Sequence, residues 1–236
     1  SAEEGPGRIE WDGRNEDRQL VEPGTYRWRA ISHAGIRPEY LFNWGNGNDD
    51  STTGRSKLSN HGYFSAATHN DRYVFLGSRV TEGGWSLLAV DRDGSFRHGY
   101  SRLHGTGLGT VRLAADGKYL YVAKDGVAWG QKPDRSDPEW QIEVSLSISR
   151  FDIESTRAVK FPGGGRDLRY DTYPHGPGAK KMGKGLSLAG FAHHEGTLFA
   201  ASRWRQAIIR VDAETGEELG DVPLKEPGPL AVHGDT

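Results

Sequence analysis

The stretch Thr197–Leu219, TLFAASRWRQAIIRVDAETGEEL, decides how the rest of the chain is read. Leu198–Ser202 is a compact apolar run. Ala207–Val211 holds two isoleucines and a valine, and Asp212–Gly216 is polar. Short runs of β-formers bounded by Asp, Thr and Gly predict strand, short loop, strand, tight turn, strand. The same pattern occurs twice upstream. Tyr63–Thr68, Tyr73–Ser78, Trp85–Val90 and Ser95–Tyr100 form one unit; Val111–Ala115, Lys118–Ala123, Ser145–Phe151 and Arg157–Phe161 form the next. The third runs Ser187–His193, Leu198–Ser202, Ala207–Val211 and Glu217–Leu224, and a fourth is expected to begin at Pro229–Val232.

The units align on two markers. Ala67, Ala114, Ala192 and Ala231 each stand just before a polar turn. Asp91, Asp152 and Asp212 open the second hairpin turn, at intervals of 61 and 60 residues. Four strands per unit in up-and-down order is the blade of a β-propeller, and the interval exceeds common propeller periods because loops are inserted. A blade has two apolar faces and must stack on neighbours to cover them. The fold expected is therefore all-β: a partial propeller of about three and a half four-stranded antiparallel blades. They span 61–236, at about 61–100, 109–161 and 187–224 with a further start at 229–236.

Composition agrees. Thirty-three glycines and 10% aromatic residues in 236 suit many strands joined by turns, in a chain long enough for a sizeable core. A formal charge of −2 gives no electrostatic reason to expect nucleic acid, and no apolar run approaches the ~20 residues that span a bilayer. Without cysteine there is no disulfide, thiolate metal site or Cys nucleophile. Asp49 and Asp50 match no EF-hand spacing. His193 and His194 are adjacent, so on a strand they point to opposite faces and do not share one metal. No metal is expected.

Residues 1–32 contain Trp11-Asp-Gly-Arg14 and Pro23-Gly-Thr-Tyr-Arg-Trp-Arg29, a strand and turn followed by an alternating strand with Tyr26, Trp28 and Ala30 on one face. This pairing resembles the closing strands of the FlgD-type immunoglobulin-like domain. The resemblance implies a structural spacer whose earlier strands are missing, and so a fragment of a longer chain. Residues 33–60 read as a connector rich in Gly, Asn, Asp, Ser and Thr. The third unit is similar to NHL-like or quinoprotein-like propeller blades of secreted bacterial proteins. That implies an extracytoplasmic setting and further domains of the parent chain as partners. The tryptophan-docking motifs of quinoprotein dehydrogenases are absent, so no quinone, and no other cofactor, is implied.

In an up-and-down blade the first and third turns fall on one rim, and the second loop and the link to the next blade on the other. Here the former are short: His69–Arg72, Asp91–Gly94, Asp116-Gly117, Asp152–Ser155, His194–Gly196 and Asp212–Gly216. The long stretches, Asp125–Glu143 and Pro162–Gly185, both belong to the other rim, which is expected to carry the working face. Trp129, Trp140, Tyr170 and Tyr173 read there as loop aromatics, with Arg166, Arg169, Lys180, Lys181, Lys184, Arg203, Trp204 and Arg205 beside them. Rings stack on sugar C–H faces and cations pair with acidic groups.

Two functions are expected from this. The first is a non-catalytic binding or scaffold module recognising a polysaccharide or a partner protein through that rim. The alternative is a carbohydrate-active enzyme, a lyase or glycosidase, with its site on the same face. Lyase chemistry needs a base and a cation at the uronate, for which His61, Tyr63, His175 and Arg203 are the candidates. Among the carboxylates Glu82, Asp167 and Asp171 no pair suited to glycoside hydrolysis is visible.

Overall fold

A computed structural model describes residues 11–15, 18–25, 64–79, 84–101, 110–127, 134, 136–162, 164–165, 167–177 and 187–232. The chain divides into two compact units, Ser1–Leu41 and Phe42–Thr236. His61, Tyr63, Trp129, Arg166 and Lys184 lie outside the described residues, as do the alternating strand through Trp28, the whole connector 33–60, Glu82, Lys180 and Lys181.

The described part of the first unit is a small hairpin. Arg14 and Leu20 form an antiparallel bridge, and Val21 N donates to the Gly13 carbonyl at 2.9 Å. Arg18 reverses the chain in the left-handed region, with φ 62°. The Trp11 indole donates to the Arg14 carbonyl at 2.7 Å.

Among its described residues the second unit holds thirteen strands and no helix. The first sheet is β1 (Ala66–His69), β2 (Val74–Gly77), β3 (Leu87–Val90) and β4 (Phe96–Ser101), paired in that order. The third is β10 (Leu188–His194), β11 (Thr197–Ser202), β12 (Ala207–Asp212) and β13 (Glu218–Pro223), again in chain order. The second starts likewise with β5 (Thr110–Ala115), β6 (Tyr119–Val127), β7 (Ile142–Asp152) and β8 (Ala158–Val159), with β9 (Asp167–His175) added against β7. All pairs are antiparallel. β5 lies against β1 and β2, and β10 against β5 and β6. Inner strand meets inner strand, as in consecutive propeller blades.

The short turns are held by side chains that cap their own backbone. The Asp116 carboxylate accepts from Lys118 N and Tyr119 N, both at 2.6 Å. Asp152 accepts from Ser155 N at 2.7 Å and Asp212 from Thr215 N at 2.7 Å. These are the Asx turns that Asp and Asn favour. Glu195 and Gly196, at φ 43° and 74°, make a two-residue hairpin between β10 and β11.

The second sheet differs from the sequence expectation. β6 and β7 reach into the segment read as a long loop from Asp125 to Glu143. Pro162–Gly185 was expected to be a link after a blade ending at Phe161; instead Asp167–His175 is strand. Val159 pairs with Arg150, and Asp167 then pairs with Ser149 and His175 with Ile142. β8 and β9 are thus one outer strand of a single blade, laid on β7 in two pieces that end at Val159 and resume at Asp167. β7 is eleven residues long, so its outer edge needs more chain than a six-residue strand supplies. Pro229–Val232, expected to start a fourth blade, is assigned to no strand among the described residues, although Gly228–Leu230 lies against β10 at Gly190.

Two cores fill the spaces between sheets. Phe75, Leu87 and Ala89 meet Val111, Leu113, Leu120, Val122, Phe151 and Ile153 between the first and second sheets. Tyr121, Leu146, Ile148 and Phe161 meet Phe191, Leu198, Ile209 and Val211 between the second and third. Alternation along β6 and β7 sends neighbouring residues to opposite cores. Each fully buried Leu, Ile or Phe contributes about 1.5–3 kcal/mol, which is what binds the three sheets into one body.

Candidate functional site

With every sheet in this order, the rim opposite the short turns carries the ends of β6 and β9, the start of β7, and residues 203–206. The site there is built on a buried polar knot. Asp125, near the end of β6, is fully buried. Its carboxylate accepts from Thr110 N at 2.9 Å, Leu188 N at 2.8 Å and the Tyr173 hydroxyl at 2.9 Å. Burial pushes its carboxyl above the ordinary carboxylate value, against the pull of those donors. The Tyr173 hydroxyl accepts in turn from Ser187 N at 3.0 Å. Ser187 Oγ lies 2.9 Å from Ser202 Oγ and accepts from Trp204 N at 3.0 Å. The knot ties β6 and β9 of one sheet to the start of β10 and the β11–β12 loop of the next. It leaves Tyr173 as a positioning group: its ring is stacked on Trp204 at 5.5 Å and 23°, and burial raises its hydroxyl pKa far above the ordinary value.

Tyr170 and Tyr173, expected in a loop, are on strand β9 because that strand completes the edge of β7. Tyr170 is half-buried against the core and donates to the Gly216 carbonyl at 2.9 Å. Trp140 ends the β6–β7 connection beside the end of β9. Its ring meets His175 edge-on, with centroids 6.5 Å apart, and it fills the space where a Cβ on Gly176 would sit. Gly176 is at φ 137°, where a side chain is strained in any case. His175 Nδ1 is buried without a hydrogen-bond partner. Between these two positions opens a cleft of about 300 Å3 lined by Gln141, Ile142, Glu143, Thr172, Tyr173 and Pro174.

Of the expected cations, three are among the described residues, and Arg205 is the one held by carboxylates. Arg205 pairs with Glu218 at 2.6 Å, Asp221 at 3.3 Å and Asp171 at 3.5 Å, and donates to the Tyr170 carbonyl. Burial raises the Asp171 carboxyl in spite of Arg205. Arg203 is exposed and reaches the Pro227 carbonyl at 3.4 Å. Arg169 is exposed on β9, opposite Ser147. Asp167 pairs with Lys124 at 3.4 Å. Among the described residues the cleft itself is lined by an amide, a carboxylate and a hydroxyl, with no cation.

The short-turn rim, read from sequence as plain, has a cleft of its own, about 480 Å3, between the second and third sheets. Asp116, Lys118, His193, Glu195 and Glu214 are among its lining residues. His193 stacks on Tyr121 at 5.5 Å and 16°, with Nε2 4.0 Å from Asp116 Oδ2. Strand alternation assigns His193 to the face of Phe191, but its neighbours come from the adjoining sheet, beyond the reach of any local pattern. Among the described residues no group of three or more His, Asp or Glu is placed to hold a metal ion, and no helix is long and apolar enough to cross a membrane.

No protein-family model and no curated protein matches the chain. Among solved structures, the glutaminyl cyclase of Myxococcus xanthus aligns with 71% of this chain and 53% of its own, at 14% identity and a TM-score of 0.32. AztD of Citrobacter koseri aligns with 75% of this chain and 63% of its own, at 10% identity and a TM-score of 0.27. The chain thus spans between half and two thirds of the length of these proteins. Likeness at this level carries no chemistry across, and the blade architecture rests on the sheets themselves.

Proposed function

We propose that this chain is a binding module, and that it takes an uncharged, hydroxyl-rich polysaccharide on the rim opposite the short turns. The supporting observation is the Gln141–Pro174 cleft, where amide, carboxylate and hydroxyl groups line a shallow opening bracketed in sequence by Trp140 and His175. Hydroxyls of a sugar ring donate to carboxylates and accept from amides, and an indole offers a flat apolar face to its C–H groups. An acidic sugar is disfavoured because Arg205 is already neutralised and the cleft has Glu143 at its edge. The FlgD-like resemblance of the first unit fits a spacer role, in a protein working outside the cytoplasm.

Calorimetric titration of the intact chain tests the reading, with neutral oligosaccharides of cellulose, xylan and chitin type and with polygalacturonate. Binding of a neutral glycan, weakened about tenfold or more by Trp140→Ala, a loss of about 1.4 kcal/mol, is the expected result. Heat from none of the ligands removes the sugar reading. Ultraviolet-absorbing product from polygalacturonate would replace it with a lyase.

A further inference from the structure

The cleft on the short-turn rim, between the second and third sheets, stands where one repeat departs from another. The turns after β1 and β5 are built alike. Asn70 Oδ1 accepts from Arg72 N and Tyr73 N at 3.0 and 2.9 Å, as Asp116 Oδ1 accepts from Lys118 N and Tyr119 N. Asn70 has a donor left over. Its Nδ2 donates across the seam to the Asp116 carbonyl at 3.2 Å and ties the first turn of one sheet to the first turn of the next.

One repeat later that donor is gone. Asp116 takes the place of Asn70, and its second oxygen can only accept. A hydroxyl absent from the first sheet meets it: Tyr121, in the place of Phe75, donates to Asp116 Oδ2 at 2.9 Å. Across the seam, the place of Ala115 on β5 is held on β10 by His193. Its Nε2 lies 4.0 Å from Asp116 Oδ2, and its side chain is 16% exposed. Among the described residues it is stacked on Tyr121 without a hydrogen bond to either ring nitrogen. Burial keeps the ring neutral at neutral pH. With its proton on Nδ1 it accepts at Nε2, so two acceptors face each other over the gap.

The surroundings select the charge of what fills it. Asp212, Glu195 and Glu214 also line the cleft, the two glutamates with exposed side chains. Among the described lining residues Lys118 is the cation, and its ammonium lies 4.7 Å from the centre of the Tyr119 ring. Arg150, behind the third turn, is committed to the Ala213 and Glu214 carbonyls at 2.9 and 3.0 Å. The walls are fixed. Each first turn is bonded to the third turn of its own sheet, Ile153 N to the Lys118 carbonyl at 3.0 Å and Ala213 N to the Gly196 carbonyl at 2.8 Å.

We propose that this cleft binds an alkylammonium group, of a lysine side chain or of a free amine, whose nitrogen bridges Asp116 Oδ2 and His193 Nε2. It supplies from outside the N–H that Asn70 supplies at the first seam. A nitrogen about 2.9 Å from each atom spans the distance between them, and its bond to the carboxylate is charge-assisted. The site lies on the rim away from the glycan cleft and does not depend on that reading.

Amide NMR spectra of the whole chain, titrated at low ionic strength where exposed charges are least screened, test the proposal. The probes are diaminopentane, the blocked peptide acetyl-Gly-Lys-Gly-amide, and tetramethylammonium, which carries the charge without an N–H. Saturable shifts at 116–121 and 193–197 are expected with both amines, and about tenfold weaker binding with tetramethylammonium. Tighter binding of the peptide marks a lysine of a partner protein as the source, and tighter binding of the diamine a free small molecule. His193→Phe keeps a ring on Tyr121 and removes both nitrogens; it is expected to weaken the amines about tenfold or more. Asp116→Asn, which copies the first seam, is the second variant. It is expected to lose the amines while keeping the parental melting temperature. Amines that shift none of these residues overturn the proposal. So does tetramethylammonium binding as tightly as the amines, or amine binding unchanged in both variants.

Discussion

His193 lies 4.0 Å from the Asp116 carboxylate, yet burial holds its imidazole below the ordinary value of 6.5. Asp116 pulls the other way, His194 adds to the depression, and the burial contribution is the largest. His98, half-buried beside Tyr100 and Arg97, is shifted in the same direction for the same first reason. A histidine whose folded pKa is depressed takes up its proton more readily in the unfolded chain. Stability is then fully present above the ordinary pKa and is lost as pH falls through it toward the folded value. Urea midpoints measured from neutral to mildly acidic pH are therefore expected to fall with acidity, and His193→Gln to flatten the fall, with His98 supplying the remaining slope. An unchanged slope in the variant would show that His193 titrates alike in both states. The sequence shows His193 as a polar residue next to a turn; what sets its pKa is Tyr121 and Asp116 of another sheet, 72 and 77 positions away. Asp125 is the same kind of case. Its three donors come from residues 110, 173 and 188, and nothing near Asp125 in sequence announces a buried carboxylate.

At the scale of elements, the short turns were legible because Asp, Asn and Gly carry their conformations locally. The spacing of Asp91, Asp152 and Asp212 marks three hairpins, and each closes there. β9 was not legible. Asp-Leu-Arg-Tyr-Asp-Thr-Tyr-Pro-His has weak alternation and a proline near its end. It is a strand because the long edge of β7 offers it a ladder, and an edge position tolerates Pro174. The end of β9 depends on Gly176. Gly176→Ala places a methyl group against the Trp140 ring and carbonyl at a positive φ. The expected cost is about 1–3 kcal/mol, with Trp140 displaced and the cleft at Gln141 deformed. Chemical denaturation reads the first effect and tryptophan fluorescence the second; a variant with parental stability and emission would show that Trp140 does not rest on this glycine.

For the molecule as a whole, the second sheet is the one that shares a core with each of its neighbours. Amide exchange under native conditions is expected to be slowest in β6 and β7 and faster in the outer strands β4 and β13, because local opening follows the loss of buried contacts. Equal protection across all three sheets would mean that they open together. The long β7 also limits how this protein can vary. Its successive side chains supply two different cores, so inserting or deleting one residue within it would exchange their contents. The gap between Phe161 and Asp167 is under no such constraint, since the halves on either side of it are registered separately on β7. Length differences among descendants of this chain should therefore accumulate at that gap and be purged from the strand beside it, which makes it the natural place to graft a foreign peptide.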